Sequence, residues 1–319
     1  MIKSGKDVVF ASKLIKEGKL VAFPTETVYG LGADGLNKKA VARIFEVKKR
    51  PSFDPLILHI SAIDDLYQIF KEPVSPIIFR LAEKYMPGPL TIVAPRQKKI
   101  PDIVTAGLPT VAVRMPNHPI ALKLIRLSGV PIAAPSANLF GRVSPTTPEY
   151  VKEQLNKVDY IIDGGRTEIG IESTIVSIND GTIEILRPGI ISEEQITADF
   201  PDIKVVTADS SQIINAPGQL KSHYSPKKPF YLIDEIPDDL PDSVGLILAE
   251  PVKLPEKTTR KIIYLSKDGD FLEVASNLFE AFHDFEKARI VEKIYALKIK
   301  EEGIGRAIMD RWKRAAREN

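Results

Sequence analysis

An α/β protein of two unequal units is predicted by two observations. Short apolar runs alternate with helix-period segments along most of the chain, and one irregular stretch after residue 205 interrupts that alternation. At the start, Ala11, Leu14 and Ile15 recur at helical spacing, Gly18 stops the helix, and residues 20–23 read as a buried strand. A loop follows. Ala40, Val41, Ile44, Phe45 and Val47 then predict a second helix that ends at Lys48 to Arg50, with Pro51 breaking it. Residues 56–60, 90–93, 110–113 and 130–134 read as strands, residues 74–85 and 119–128 as helices, and residues 161–162, 173–176 and 183–186 as further strands. These predict a first unit over residues 1–205. A linker over 206–229 and a small parallel α/β unit over 230–319 complete the chain, with strands at 230–233, 244–248 and 262–265 and helices around 272–282 and 304–315.

Composition narrows the function. The 319 residues suffice for two cores, and 44 Lys plus Arg against 42 Asp plus Glu leave +2, too little for a dedicated nucleic-acid or membrane-surface binder. Without cysteine there is no disulfide, thiolate nucleophile, iron–sulfur cluster or cysteine zinc site, which fits a reducing compartment. The histidines at 59, 118, 223 and 283 are too scattered for a paired metal motif. No apolar run is long enough to span a bilayer, and the first residues lack the apolar core of a signal peptide, so a cytoplasmic protein with no membrane association is expected.

Several segments place polar groups at strand ends, where α/β sheets bind ligands. FPTETVYGLG, residues 23–32, carries two threonines and a carboxylate, which equally describes a polar loop whose hydroxyls satisfy local backbone. Its Gly30-x-Gly32-x-x-Gly35 spacing matches a dinucleotide fingerprint, but the strand ends at Phe23 and the next helix starts after Gly35, so the required turn is missing. No P-loop occurs. Lys48 and Arg50 could hold phosphates instead, the one a point charge and the other a fork; a solvated helix end would look the same. Ser136, Asn138, Ser144 and Thr146 supply uncharged donors for an anion or for a pair of turns. Arg114 and Arg187, with the 170–176 segment, have the same character beside other strands.

Taken together, FPTETVYGLG, KKRPSFDPLILHI, MPGPLTIV, TVAVRMPNHPIA, PIAAPSANLFGRVSPTT and GIESTIV resemble, in order and spacing, the YrdC/Sua5 family of threonylcarbamoyl-AMP synthases. PGQLKSHYSPKKP and GIGRAIMDRWKRAA look like the linker and extra domain of its longer, Sua5 branch, so the resemblance covers nearly the whole chain. It implies a twisted, mostly parallel or mixed sheet curling round a deep basic cleft, followed by a small Rossmann-like domain. It also implies a reaction in which L-threonine, bicarbonate or CO2, and ATP become L-threonylcarbamoyladenylate and pyrophosphate, for the t6A modification at position 37 of tRNA.

Carried over motif by motif, the resemblance puts Thr27, His59, Arg114, the backbone at Ala134, and Ser173 around threonine. Lys48, Arg50, Asp54, Thr110, Ser136, Asn138, Ser144 and Arg187 fall around ATP, with Lys48, Arg50, Ser136 and Asn138 nearest the chemistry and the linker's His223 and Tyr224 closing over the site. Mg²⁺ would arrive with the ATP phosphates. Implied partners are the downstream t6A transferase complex and, at the basic cleft, tRNA or other RNA. Where the family has Asn this chain has Asp54, which cannot donate when ionised and could orient Arg50 instead. Arg166 replaces a smaller residue in a loop expected to lie on the surface. Three rivals remain: a double-stranded RNA-binding module, a carbamoyltransferase-type adenylating enzyme, which should carry cysteine zinc fingers, and a dihydroxybutanone-phosphate-synthase-like lyase, whose acidic metal cluster is not visible.

Overall fold

The computed structural model describes residues 2–208, 224–259 and 261–317. Its first strands are β1 (Ser4–Gly5), β2 (Val21–Phe23), β3 (Gly30–Asp34), β4 (Ile57–His59), β5 (Leu90–Pro95), β6 (Thr110–Arg114), β7 (Ile132–Ala133), β8 (Tyr160–Ile162), β9 (Thr174–Asn179), β10 (Thr182–Arg187) and β11 (Val205–Thr207). They form one sheet in the order β1-β8-β2-β3-β7-β4-β6-β5-β9-β10-β11. Antiparallel pairs such as β2–β3, β3–β7 and β5–β6 are interleaved with parallel pairs such as β4–β6 and β5–β9, so the sheet is mixed. A second sheet, β12 (Phe230–Ile233), β13 (Val244–Leu248), β14 (Ile262–Tyr264) and β15 (Lys293–Leu297), is wholly parallel in the order β12-β15-β13-β14. The helices Phe271–Lys287 and Ile304–Ala315 accompany it, where their apolar spacing predicted helices.

The glycine-rich segment, read from sequence as a loop, is the strand β3. A Cβ at Gly32 would lie 2.8 Å from both Ile132 Cγ2 and the Phe23 ring, and one at Gly35 would lie 2.5 Å from Leu58 Cδ2. These glycines let large side chains cross a buried strand; they do not cradle a phosphate. Glycine has little strand propensity, which is why the sequence hid this element.

The two sheets are joined by a shared core. Val28, Val143 and Ile171 from loops of the large sheet pack in one cluster with Phe279, Phe282 and Trp312 of the second unit. Gly170 makes the close approach feasible: its φ is +78°, and a Cβ there would meet the carbonyl oxygen of Ser276 at 2.5 Å. Arg166, expected on a free surface loop, instead reaches the Phe271–Lys287 helix, pairing with Glu280 at 2.8 Å and donating to the Ser276 carbonyl at 3.2 Å. Of the anticipated linker, residues 209–223 including His223 lie outside the described residues, while Tyr224 is buried against Phe279 with ring centroids 5.5 Å apart. Among the described residues no helix is long and apolar enough to cross a membrane.

Candidate active site

The Lys38–Lys48 helix is capped at its start by Asn37, whose side chain accepts from the Lys39 and Ala40 amides. It ends on Lys49 in the left-handed conformation, φ +53°, with the Arg50 amide bonded back to the Phe45 carbonyl. That reversal leaves Lys49 in solvent and turns Lys48 and Arg50 inward, where they are 1% and 8% exposed. The solvated helix end is therefore excluded. Lys48 Nζ donates to the carbonyls of Ser136 and Asn138, both at 2.5 Å, clamping the helix to the Ser136–Asn138 loop. Burial, and then the neighbouring Arg50, push its pKa well below that of a free lysine.

Arg50 pairs with Asp54 at 2.8 Å and donates to the Pro55 carbonyl at 2.8 Å. Asp54 thus orients Arg50, as its lack of a proton donor suggested. The facing wall is fixed by backbone bonds, Leu31 amide to Pro135 carbonyl and Ala137 amide to Tyr29 carbonyl, which leave Ser136 half-buried beside Gly30. Asn138 is fully buried and donates to the Leu139 and Arg142 carbonyls.

At the other end, Arg114 closes β6 with its guanidinium between Glu26, 2.7 Å away, and Thr27 Oγ1, 2.8 Å away. The β4–β6 register sets His59 opposite Arg114. His59 packs edge-on against Phe23, and burial followed by Arg114's charge lowers its pKa to about 3, so its imidazole is neutral at physiological pH. Ser173 Oγ exchanges a 2.7 Å hydrogen bond with Thr91 Oγ1 and accepts from Arg187 at 3.2 Å. Burial lowers the pKa of Arg187, and the residue remains a cation.

These groups converge on one cleft with about 570 Å³ of empty space, part of it open to solvent. Thr27, His59, Arg114, Ala134, Ser173, Arg50, Ser136, Arg187 and Tyr224 are all among the residues that line it. Lys48, Asp54, Asn138 and Ser144 are fully or almost fully buried in the wall behind it. Thr110 stands at the opposite end of β6 from Arg114, two residues before the Ile57–Ala112 register pair, and does not line the cleft. Sequence reasoning passed over Glu26, Glu172 and Arg311. Glu26 holds Arg114, and Glu172 lines the cleft. Each carboxylate directly precedes a chosen hydroxyl residue in its motif. Arg311 occupies the apolar stripe of its helix, with Ala307, Ile308, Trp312 and Ala315, and a charge in such a stripe was the available signal.

A cleft at strand ends, lined by buried arginines, hydroxyls and an aromatic ring, defines an α/β enzyme for small-molecule substrates. The chain belongs to the Sua5/YciO/YrdC family: residues 13–189 match the family described as "Telomere recombination", and residues 191–317 match "Threonylcarbamoyl-AMP synthase, C-terminal domain". It is 41% identical to the threonylcarbamoyl-AMP synthase of Pyrococcus abyssi, over 96% of this chain and 93% of that protein, and 39% identical to that of Bacillus subtilis, over 96% and 92%. The crystal structure of P. abyssi Sua5 complexed with L-threonine superimposes with a TM-score of 0.86 at 36% identity, covering 99% of this chain and 97% of that one.

Proposed function

We infer that this protein is a threonylcarbamoyl-AMP synthase: it joins L-threonine, bicarbonate or CO2, and ATP into L-threonylcarbamoyladenylate, releasing pyrophosphate. The observation that carries this reading is the single cleft in which Arg114, Thr27, His59 and Ser173 meet Arg50, Ser136 and Arg187. Arg114 receives the threonine carboxylate, and Thr27 and Ser173 recognise the side-chain hydroxyl beside neutral His59. Arg50 and Arg187 face the ATP phosphates, Ser136 the α-phosphate region, and Tyr224 covers the nucleotide. Lys48, Asn138, Asp54 and Ser144 hold the wall in shape.

The threonine amine captures CO2 as a carbamate with loss of a proton. One carbamate oxygen then attacks the α-phosphorus, the bond to the bridging oxygen breaks, and pyrophosphate carries away the electron pair. No covalent enzyme intermediate is needed. The protein contributes positioning and charge neutralisation. Mg²⁺ enters with the ATP phosphates. Among the described residues no three His, Asp or Glu side chains gather to hold a metal, and Glu26, Asp54 and Glu172 are each ion-paired with an arginine.

The product is the donor for t6A at position 37 of tRNAs reading codons that begin with A, passed to a transferase complex in the cytoplasm. The cleft arginines Arg50, Arg114 and Arg187 are at most 8% exposed, which favours small anions over a nucleic-acid backbone. Substrate discrimination tests the assignment. 2-Aminobutyrate, which lacks the hydroxyl, should be used up to about 10⁴-fold less efficiently than threonine, and serine should be rejected more mildly. Equal pyrophosphate release from 2-aminobutyrate would refute the roles given to Thr27 and Ser173.

A further inference from the structure

Glu172 lines the cleft, and both oxygens of its carboxylate are held by protein side chains. One oxygen accepts from Ser144 Oγ at 2.6 Å, and the other meets Arg311 Nε at 3.2 Å. Arg311 comes from the Ile304–Ala315 helix of the second unit and its side chain is 0% exposed. Its Nη2 donates to the Glu172 carbonyl at 3.3 Å, and its Nη1 donates at 2.5 Å to the carbonyl of Pro188, the residue after Arg187. The guanidinium carbon lies 5.7 Å from the centroid of Tyr224. One planar cation from the second unit therefore binds the 172 segment and the carbonyl beside Arg187, and lies near the Tyr224 ring.

Stability does not account for this placement. Replacing a buried ion pair by well-packed apolar residues is often neutral or stabilising, and Ile308 and Trp312 on the same helix already anchor it in the shared core. A rigid fork of five donors, by contrast, fixes the relative geometry of every group it binds.

We propose that Arg311 is a positioning residue for the nucleotide end of the cleft: it holds Glu172, and through it Ser144, together with the Pro188 carbonyl that sets Arg187. The second unit thereby completes the site without itself touching substrate. This rests on the reading of the cleft given above.

The test compares wild type with Arg311→Met, Arg311→Lys, Glu172→Gln and the Arg311→Met/Glu172→Gln double variant. Arg166→Ala serves as control, because it cuts another tie between the two units without touching Glu172. Pyrophosphate release is measured with ATP and threonine varied separately, ATP affinity by calorimetry, and docking of the helix by the emission of Trp312, the chain's sole tryptophan and fully buried. Arg311→Met and Glu172→Gln should each weaken ATP affinity or lower kcat at least tenfold while the KM for threonine stays within about threefold. The double variant should be no worse than the weaker single, Arg311→Lys should recover part of the loss, and Arg166→Ala should behave as wild type. Unchanged ATP parameters in Glu172→Gln, multiplied losses in the double variant, or an equal rise in the threonine KM would overturn the proposal. If Arg311→Met shifts the Trp312 emission to the red, Glu172→Gln decides alone. Absence of threonine-dependent pyrophosphate from wild type would refute the reading of the cleft, and the calorimetric affinities would still decide on Arg311.

Discussion

Arg114 reaches the cleft with its charge shared between Glu26 and Thr27 Oγ1, a geometry that leaves the planar fork fixed before substrate arrives. Lysine would keep the charge and lose the fork. Arg114→Lys should therefore raise the KM for threonine roughly 10- to 100-fold, the worth of a charge-assisted hydrogen bond, with a smaller effect on the KM for ATP. Initial rates at saturating ATP measure it. His59, with a pKa near 3, stays neutral across the working range. Its ring proton resonances should be flat from pH 8 to 5, and a titration near 6.5 would contradict its burial beside Arg114. Most of these residues were legible from motif order alone. What the motifs could not reveal was which cations face the cleft: Lys48 and Arg50 are two positions apart, and only the left-handed Lys49 between them decides that one clamps the wall and the other lines it.

At the level of elements, the segment around Gly170 joins the two units, because only glycine fits both the positive φ and the backbone of the Phe271–Lys287 helix. Gly170→Ala should loosen this contact, lower the midpoint of thermal unfolding and shift Trp312 emission to the red; unchanged emission and stability would show that the helix tolerates a Cβ there. Helices were the most legible elements, since Pro76–Tyr85, Pro119–Ser128 and Ile304–Ala315 each show a clear apolar stripe. Strand β3 was not, because its glycines remove the alternation that marks a strand. The Arg311 tie was invisible because a salt bridge between residues 172 and 311 leaves no mark on local pattern.

Across the whole molecule, the alternation of helices and strands indicated α/β architecture, and the small parallel sheet follows from it. The mixed pairing of the large sheet does not, because short strands carry no record of direction. Two buried histidines link stability to pH. His59 and His283 have pKa values lowered to about 3 and about 4, with burial as the leading cause, while the unfolded chain takes up these protons near pH 6.5. The unfolded state thus binds more protons below pH 6.5, and stability should fall as pH drops from about 6.5 toward 4, by up to about 1.4 kcal/mol per pH unit for each group. His283→Phe, which preserves a ring against Tyr150, should reduce that slope in thermal unfolding measured from pH 7 to 4. The central claim concerns the reaction that the two ends of the cleft perform together. Incubating the protein with ATP, L-threonine and ¹³C-bicarbonate, and following pyrophosphate beside mass spectrometry of the adenylate, tests it directly. The account predicts threonine-dependent pyrophosphate and an equimolar adenylate carrying one ¹³C; pyrophosphate release indifferent to threonine, or an adenylate without the label, would contradict it.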